Sequence, residues 1–399
     1  MALPLLLLSL LARAAWSLPA YHAPLLSGSS PTAVPGEYVV VLNSKLRQYA
    51  VSDHIARVRA LIARDGNGSA LTYVYAIGNF NGYAAKLSDG ARERLRAMKE
   101  VAYVEYNQKY STQQSCSLQT DATWGIVRTT YRDLPTVFDY SYGPGDGTGV
   151  NVYIIDTGIE TTHPDFGGRA IWGVDYVNNP SPKTDLNGHG THVAGTVMSN
   201  TYGLAKKATA IAVRVLDENG SGYMEDIISG IDWVAGQHTS GKKSVATMSL
   251  SGLKSDAMNS AVDAAVAAGV NFMVAAGNNK QNACNYSPAS SSLSVAVMAS
   301  DSTDKFATFS NYGPCAHIIA PGVAITSTWL DGGISTISGT SMATPHVAGV
   351  VAKYLSSQST VPTPATVKAW LTSVATSDKI TNIPNTFPTT NKLVFRDCL

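Results

Sequence analysis

Residues 150–156 read VNVYIID, a short run of β-branched and aromatic residues closed by a carboxylate. Apolar side chains fall at both odd and even positions. The run therefore predicts a strand covered on both faces rather than one with a wet side. The same texture recurs in ATAIAVRVL (208–216), ATMSL (246–250), VNFMVAAG (270–277) and LSVAVMAS (293–300). Helical stretches lie between them: HVAGTVMSN (192–200), MEDIISGIDWVAGQH (224–238) and SDAMNSAVDAAVAAG (255–269). Strands alternating with helices predict an α/β fold, a mostly parallel sheet covered by helices on both faces, joined by right-handed crossovers. Ligands in such folds sit beyond the carboxyl ends of the strands. Asp156 and Asn278 stand at such ends, after VNVYI and VAAG.

Upstream the pattern differs. EYVVVL (37–42) predicts a strand and SDHIARVRALIARDG (52–66) an amphipathic helix. LTYVYAIGNFNGYAAKL (71–87) predicts a hairpin turning near Gly78–Gly82, and SDGARERLRAMKEVAYVEYN (88–107) a capped helix and a last strand. This β-α-β-β-α-β order predicts a small α+β ferredoxin-like domain. QKYSTQQSCSLQTD (108–121) has the character of an exposed linker. The expected division is residues 1–18, 19–110 and 111–399.

The chain has 399 residues, 14% charged, with a net charge of +1 and no basic run. That composition excludes a disordered or nucleic-acid-binding protein. MALPLLLLSLLARAAWSL (1–18) is apolar, too short for a bilayer and followed by small residues, which predicts a secretory signal. Ala14, Ser17 and Ala20 are candidate cleavage points. The same leader serves export or delivery to a vacuole. The four cysteines, Cys116, Cys284, Cys315 and Cys398, predict two disulfides in an oxidising compartment, with three pairings open.

Chemistry concentrates in NGHGTHVAG (187–195) and SGTSMATPHVAG (338–349). The apolar helical pattern after the second begins near Met342, with Pro345 in its first turn. Ser341 then stands at a helix N-terminus, where a hydroxyl caps the helix or a nucleophile profits from the dipole. His346 lies five residues on, about 140° around the helix at about 100° per residue, and is a packed histidine rather than a base. Periodicity leaves His189 and His192 equally placed, three residues apart. Asp156 is either a turn residue or a buried carboxylate in need of an imidazole. Asn278 is either a turn residue or an amide donor for an oxyanion. Zinc is disfavoured: Gly190 stands where HEXXH needs glutamate, and no ligand completes the set. The shared HVAG is not a duplication, since the flanking elements differ. Its small residues predict close helix packing.

VYIIDTGIETTHPDFGGR (152–169), NGHGTHVAG, AAGNN (275–279) and SGTSMATPHVAG together resemble the subtilisin-like serine proteases, most closely the proteinase K-like branch. The resemblance spans roughly residues 120–399, and the N-terminal domain resembles this family's inhibitory propeptide. It implies a triad of Asp156, His189 and Ser341, with Asn278 and the Ser341 N–H as oxyanion donors. It implies β-pairing of substrate with Ser249, Leu250, Ser251 and Gly252 on one side and Gly220, Ser221, Gly222 and Tyr223 on the other. Ala275, Ala276 and Gly277 would line the pocket for the residue before the scissile bond.

The activity so implied is that of a secreted serine endopeptidase of broad specificity favouring apolar residues there. It would be made as a zymogen that splits itself between about Asn107 and Cys116. Partners are polypeptide substrates and the chain's own propeptide, with no nucleic acid or membrane, and the expected state is a monomer. A dead relative serving as a binding module is disfavoured, because all four catalytic positions are intact. The resemblance pairs Cys284 with Cys315, a closure worth roughly 3–4 kcal/mol. That leaves Cys116 to Cys398. Catalysis requires no cofactor. Relatives bind calcium through an aspartate a few residues after SNYG. His317 holds that position here and is a poor calcium ligand, so calcium stays an open question and no metal-ligating residue is named.

Overall fold

A computed structural model describes residues 21–28, 33–65, 68–108, 116–178 and 181–398. The leader and most of the expected self-cleavage segment lie outside them. The chain divides into two units, Met1–Gln113 and Gln114–Leu399.

In the first unit the strands Ala33–Leu42, Ala70–Ile77, Phe80–Lys86 and Val101–Gln108 alternate with helices Gln48–Asp65 and Asp89–Arg96. The fourth strand lies beside the first, then come the third and the second. The short strand Leu25–Leu26 adds a parallel edge. Ile77 pairs with Phe80, so the hairpin turns on Gly78 and Asn79 alone. Gly78 has φ +57°, a left-handed conformation that glycine takes without strain. Ser88 caps the second helix, its hydroxyl accepting from the Ala91 N–H at 3.1 Å.

The second unit is built on a nine-stranded sheet. Across it run Thr376–Ser377, Lys392–Leu393, Ile318–Pro321, Val295–Ser300, Asn271–Ala275, Lys243–Met248, Val150–Asp156, Thr209–Arg214 and Ala170–Asp175. All neighbours pair in parallel except the first two. Val150–Asp156 is the pivot. The chain lays two strands on one side of it, then crosses to the other side. Such a switch opens a crevice at the carboxyl ends, beside Asp156.

The period of two divides the pivot strand between two cores. Val150, Val152 and Ile154 join one with Val193 and Val347, on helices His189–Met198 and Thr340–Ser356. Tyr153 and Ile155 join the other with Ile231 and Val262, on helices Met224–Gln237 and Asp256–Ala267. HVAG marks close packing in both places. A methyl on Gly195 would lie 2.2 Å from Thr328 Oγ1, and one on Gly349 2.8 Å from Leu204 Cβ.

Several expectations change. Ala170–Asp175 and Ile318–Pro321 were not anticipated; the first carries Gly173 at a sheet edge and the second has four residues. The segment 116–121 is not a free linker. Ser117–Gln119 pairs with Tyr140–Tyr142, and Cys116 is bonded to Cys398. The second bond is Cys284–Cys315, so both expected pairs are formed.

Candidate active site

Asp156 ends the pivot strand and is fully buried. Its Oδ1 accepts from the Thr157 N–H at 2.8 Å and lies 2.7 Å from His189 Nδ1. His189 opens its helix from a loop held by a second buried carboxylate. Asp185 Oδ1 accepts from the N–H groups of Asn187 (2.9 Å) and Gly188 (3.0 Å). Its Oδ2 accepts from the Thr191 N–H (3.0 Å) and hydroxyl (2.7 Å). Thr157 Oγ1 accepts from the Gly190 N–H at 2.9 Å, pinning the same turn to the pivot strand. Burial disfavours the His189 imidazolium, but Asp156, and then Asp185, outweigh it and hold its pKa above the ordinary 6.5.

The other two histidines of these motifs are enclosed by their surroundings. His192 is fully buried with Nε2 3.0 Å from the Ile325 carbonyl. His346 is buried with Nδ1 2.8 Å from the Met342 carbonyl. Burial pushes both rings down to about 4. Both stay neutral in the fold, while the unfolded chain protonates them below about 6.5. Unfolded protein then binds more protons, so stability is full above that pH and is lost as pH falls from about 6.5 toward 4. Denaturant unfolding at pH 7, 6, 5 and 4.5 should give a monotonically falling unfolding free energy, and His346→Gln should flatten the slope.

Ser341 is the second residue of its helix, one position inside the boundary expected from the sequence. Gly339 is the N-cap, and Ser341 makes no capping bond. Its hydroxyl donates to the Ser249 carbonyl at 3.0 Å, and the Ser249 hydroxyl donates to the Ser341 carbonyl at 2.8 Å. No hydrogen bond joins Ser341 to His189 among the described residues.

Asn278 follows the strand Asn271–Ala275. Its Oδ1 accepts from the N–H (2.8 Å) and hydroxyl (2.9 Å) of Thr340, which fixes which way the amide faces. Fully buried Asn311 frames the loop from behind: Nδ2 donates to the Ala276 carbonyl (2.9 Å), and Oδ1 accepts from the N–H groups of Asn279 (3.0 Å) and Gln281 (2.9 Å). A methyl built on Gly339 would lie 3.5 Å from both Asn278 Nδ2 and Ser341 N. The two donors thus border one small space. The Gly339 backbone is extended (φ 166°), and 3.5 Å is ordinary contact, so alanine is sterically tolerated there while filling that space. Gly339→Ala should therefore keep the unfolding midpoint while filling the space that Asn278 Nδ2 and the Ser341 N–H border.

A cleft of about 600 Å³ adjoins His189, bordered by Gly220–Gly222 on one side and Ser249–Gly252 on the other. Leu216, Met224, Ile227 and Met258 supply apolar lining. Sequence reasoning missed these four because each reads as an ordinary core position; nearness to GSG, or to SLSG for Met258, was the available signal. Tyr223, Ala275, Ala276 and Gly277 do not line this cleft. Tyr223 is largely exposed, whereas Ala275 and Ala276 are buried, the latter with its carbonyl taken by Asn311. Among the described residues, no cluster of three or more His, Cys, Asp or Glu is arranged to hold a metal, and no helix is long and apolar enough to cross a membrane.

Residues 147–389 match the subtilase family of peptidases (S8), and residues 37–113 match the peptidase inhibitor I9 family. An alkaline serine exoprotease A of Vibrio alginolyticus is 47% identical over 320 residues, 79% of this chain and 59% of that protein, so the chain spans under two thirds of that relative. A cuticle-degrading serine protease of Arthrobotrys oligospora is 40% identical over 394 residues, covering 94% of this chain and 95% of its own. The crystal structure of a cold-adapted subtilisin-like serine proteinase aligns with a TM-score of 0.66 at 47% identity, over 69% of this chain and 98% of that one.

Proposed function

The chain belongs to the subtilase family, a family of serine-type hydrolases, with an I9 propeptide domain ahead of the peptidase domain; from that premise we propose that it is a secreted serine endopeptidase made as a self-processing zymogen. The observation that carries the reading is the 2.7 Å Asp156–His189 contact at the crevice of the parallel sheet. Ser341 is the nucleophile and His189 Nε2 its base, later returning the proton to the leaving amine. Asp156 keeps the Nδ1–H tautomer and steadies the imidazolium. Asn278 Nδ2 and the Ser341 N–H donate to the tetrahedral oxyanion. Water then releases the acyl group by the same proton relay.

Attack requires the Ser341 hydroxyl to give up its bond to the Ser249 carbonyl and to donate to His189 instead. Residues 249–252 and 220–222 offer backbone edges on which an extended peptide lies as a strand. Apolar lining from Leu216 and Met258 favours apolar side chains on the acyl side. The leader and the two disulfides support export. The I9 unit is the intramolecular inhibitor, and the mature enzyme works as a monomer on polypeptides.

Expression of the full chain tests this. The wild type should split between about residues 107 and 116, digest casein and be stopped by a serine-directed inhibitor. A chain that stays whole, or digests casein regardless of such an inhibitor, overturns the proposal.

A further inference from the structure

The calcium position implied by the family resemblance does not fit a divalent cation here. His317 stands where the carboxylate is expected. Its Nδ1 accepts the Ala296 N–H at 3.0 Å, and its own N–H donates to the Ala296 carbonyl at 2.9 Å. That ring nitrogen is spent, and imidazole is in any case a poor partner for a cation that selects six to eight oxygens.

A cation is nonetheless present in this corner. Lys368, on the helix Pro364–Val374, donates from Nζ to the Ser294 carbonyl at 2.7 Å and to the Ser292 carbonyl at 3.3 Å. Burial first, and the Lys368 charge second, push His317 down to about 4, so the two side chains share one electrostatic neighbourhood. The opposite polarity of the same segment is met by Asp263. Its carboxylate accepts from the hydroxyls of Ser291 (2.6 Å) and Ser292 (2.7 Å) and from the Leu293 N–H (2.9 Å). Residues 291–294 are thus clamped between a carboxylate that takes their donors and an ammonium that takes their acceptors. Two main-chain carbonyls two residues apart, aimed at one positive charge, form half of an oxygen cage for a cation.

We propose that the Lys368 ammonium is the resident cation of this corner, doing the work a structural calcium would do and making the 291–294 segment independent of calcium. It is carried by the chain itself, so no chelator removes it. A lysine also fits the ligand set: one charge and three donors suit two carbonyls and no carboxylate, whereas calcium would leave most of its coordination unfilled.

The test is thermal unfolding of the full chain in a Ser341→Ala background, which removes self-digestion, in millimolar calcium and in chelator. Lys368→Met should lower the midpoint by about 3 °C or more, calcium should not restore it, and Lys368→Arg should retain it. Combining Lys368→Ala with His317→Asp vacates the cation position and supplies a carboxylate. That double variant should gain a calcium-dependent rise in midpoint larger than the parent's, and calcium titration calorimetry should show one additional bound ion. An unchanged midpoint for Lys368→Met overturns the proposal. So does recovery of Lys368→Met by calcium alone, or a double variant that binds no more calcium than the parent.

Discussion

Ser341→Ala is expected to lower kcat/KM by about 10⁶-fold, the size of loss that follows removal of the nucleophile or the base from a subtilisin. The change deletes one hydroxyl. Among the described residues that hydroxyl bonds only the Ser249 carbonyl, and the reciprocal Ser249–Ser341 bond uses the backbone of residue 341. The unfolding midpoint should therefore move by little, and the loss should appear in kcat. The full-length variant should remain unsplit for lack of a nucleophile, so the kinetic measurement needs mature variant released in trans by wild-type enzyme. Residual activity about 10³–10⁴ above water is expected from oxyanion donors and substrate positioning alone.

Asp156→Asn should cost about 10⁴-fold in kcat with KM nearly unchanged. The amide keeps the shape but donates a hydrogen bond to His189 Nδ1, which places the ring proton on Nε2 and removes the lone pair that Ser341 needs. A second consequence follows from the charge. Asp156 is the larger of the two carboxylate influences that raise the His189 pKa, with Asp185 behind it. The base works when neutral, so wild-type activity is lost as pH falls through a value above 6.5. In Asp156→Asn that limb should move to lower pH. Asp185→Asn should move it in the same direction by less, with a smaller loss of kcat. A pH–rate profile separates these electrostatic effects from mere misfolding, which would scale the whole curve.

The parallel sheet was legible because VNVYIID and its companions carry apolar residues on both faces, a pattern that only two covering layers of helices satisfy. Asp156 and Asn278 were legible as polar residues at strand ends, and His346 was set aside by helix geometry alone. The choice of His189 over His192 was not legible from spacing. It came from the family resemblance; what sets the two rings apart physically is the burial of His192 and its contact with the Ile325 carbonyl, 133 residues away. The holding network of Asp185, Thr157, Thr340 and Asn311 stayed hidden for the same reason: its bonds cross between segments whose contact is decided by the sheet order. Ala275 and Ala276 are buried where their strand ends, and nothing local in AAGNN marks that burial. Lys368 lies 74 residues from the Ser294 carbonyl that it serves, and nothing local marks it.

Stoichiometric labelling with a fluorophosphonate, followed by peptide mapping, tests the central claim most directly. The phosphonylation needs a serine that a neighbouring base has activated. One equivalent of label on the peptide bearing Ser341 is predicted for the mature wild type, with labelling abolished by His189→Ala and unaffected by His192→Gln in any chain that folds. An enzyme that digests casein while Ser341 stays unlabelled, or that takes the label at another serine, would contradict the account.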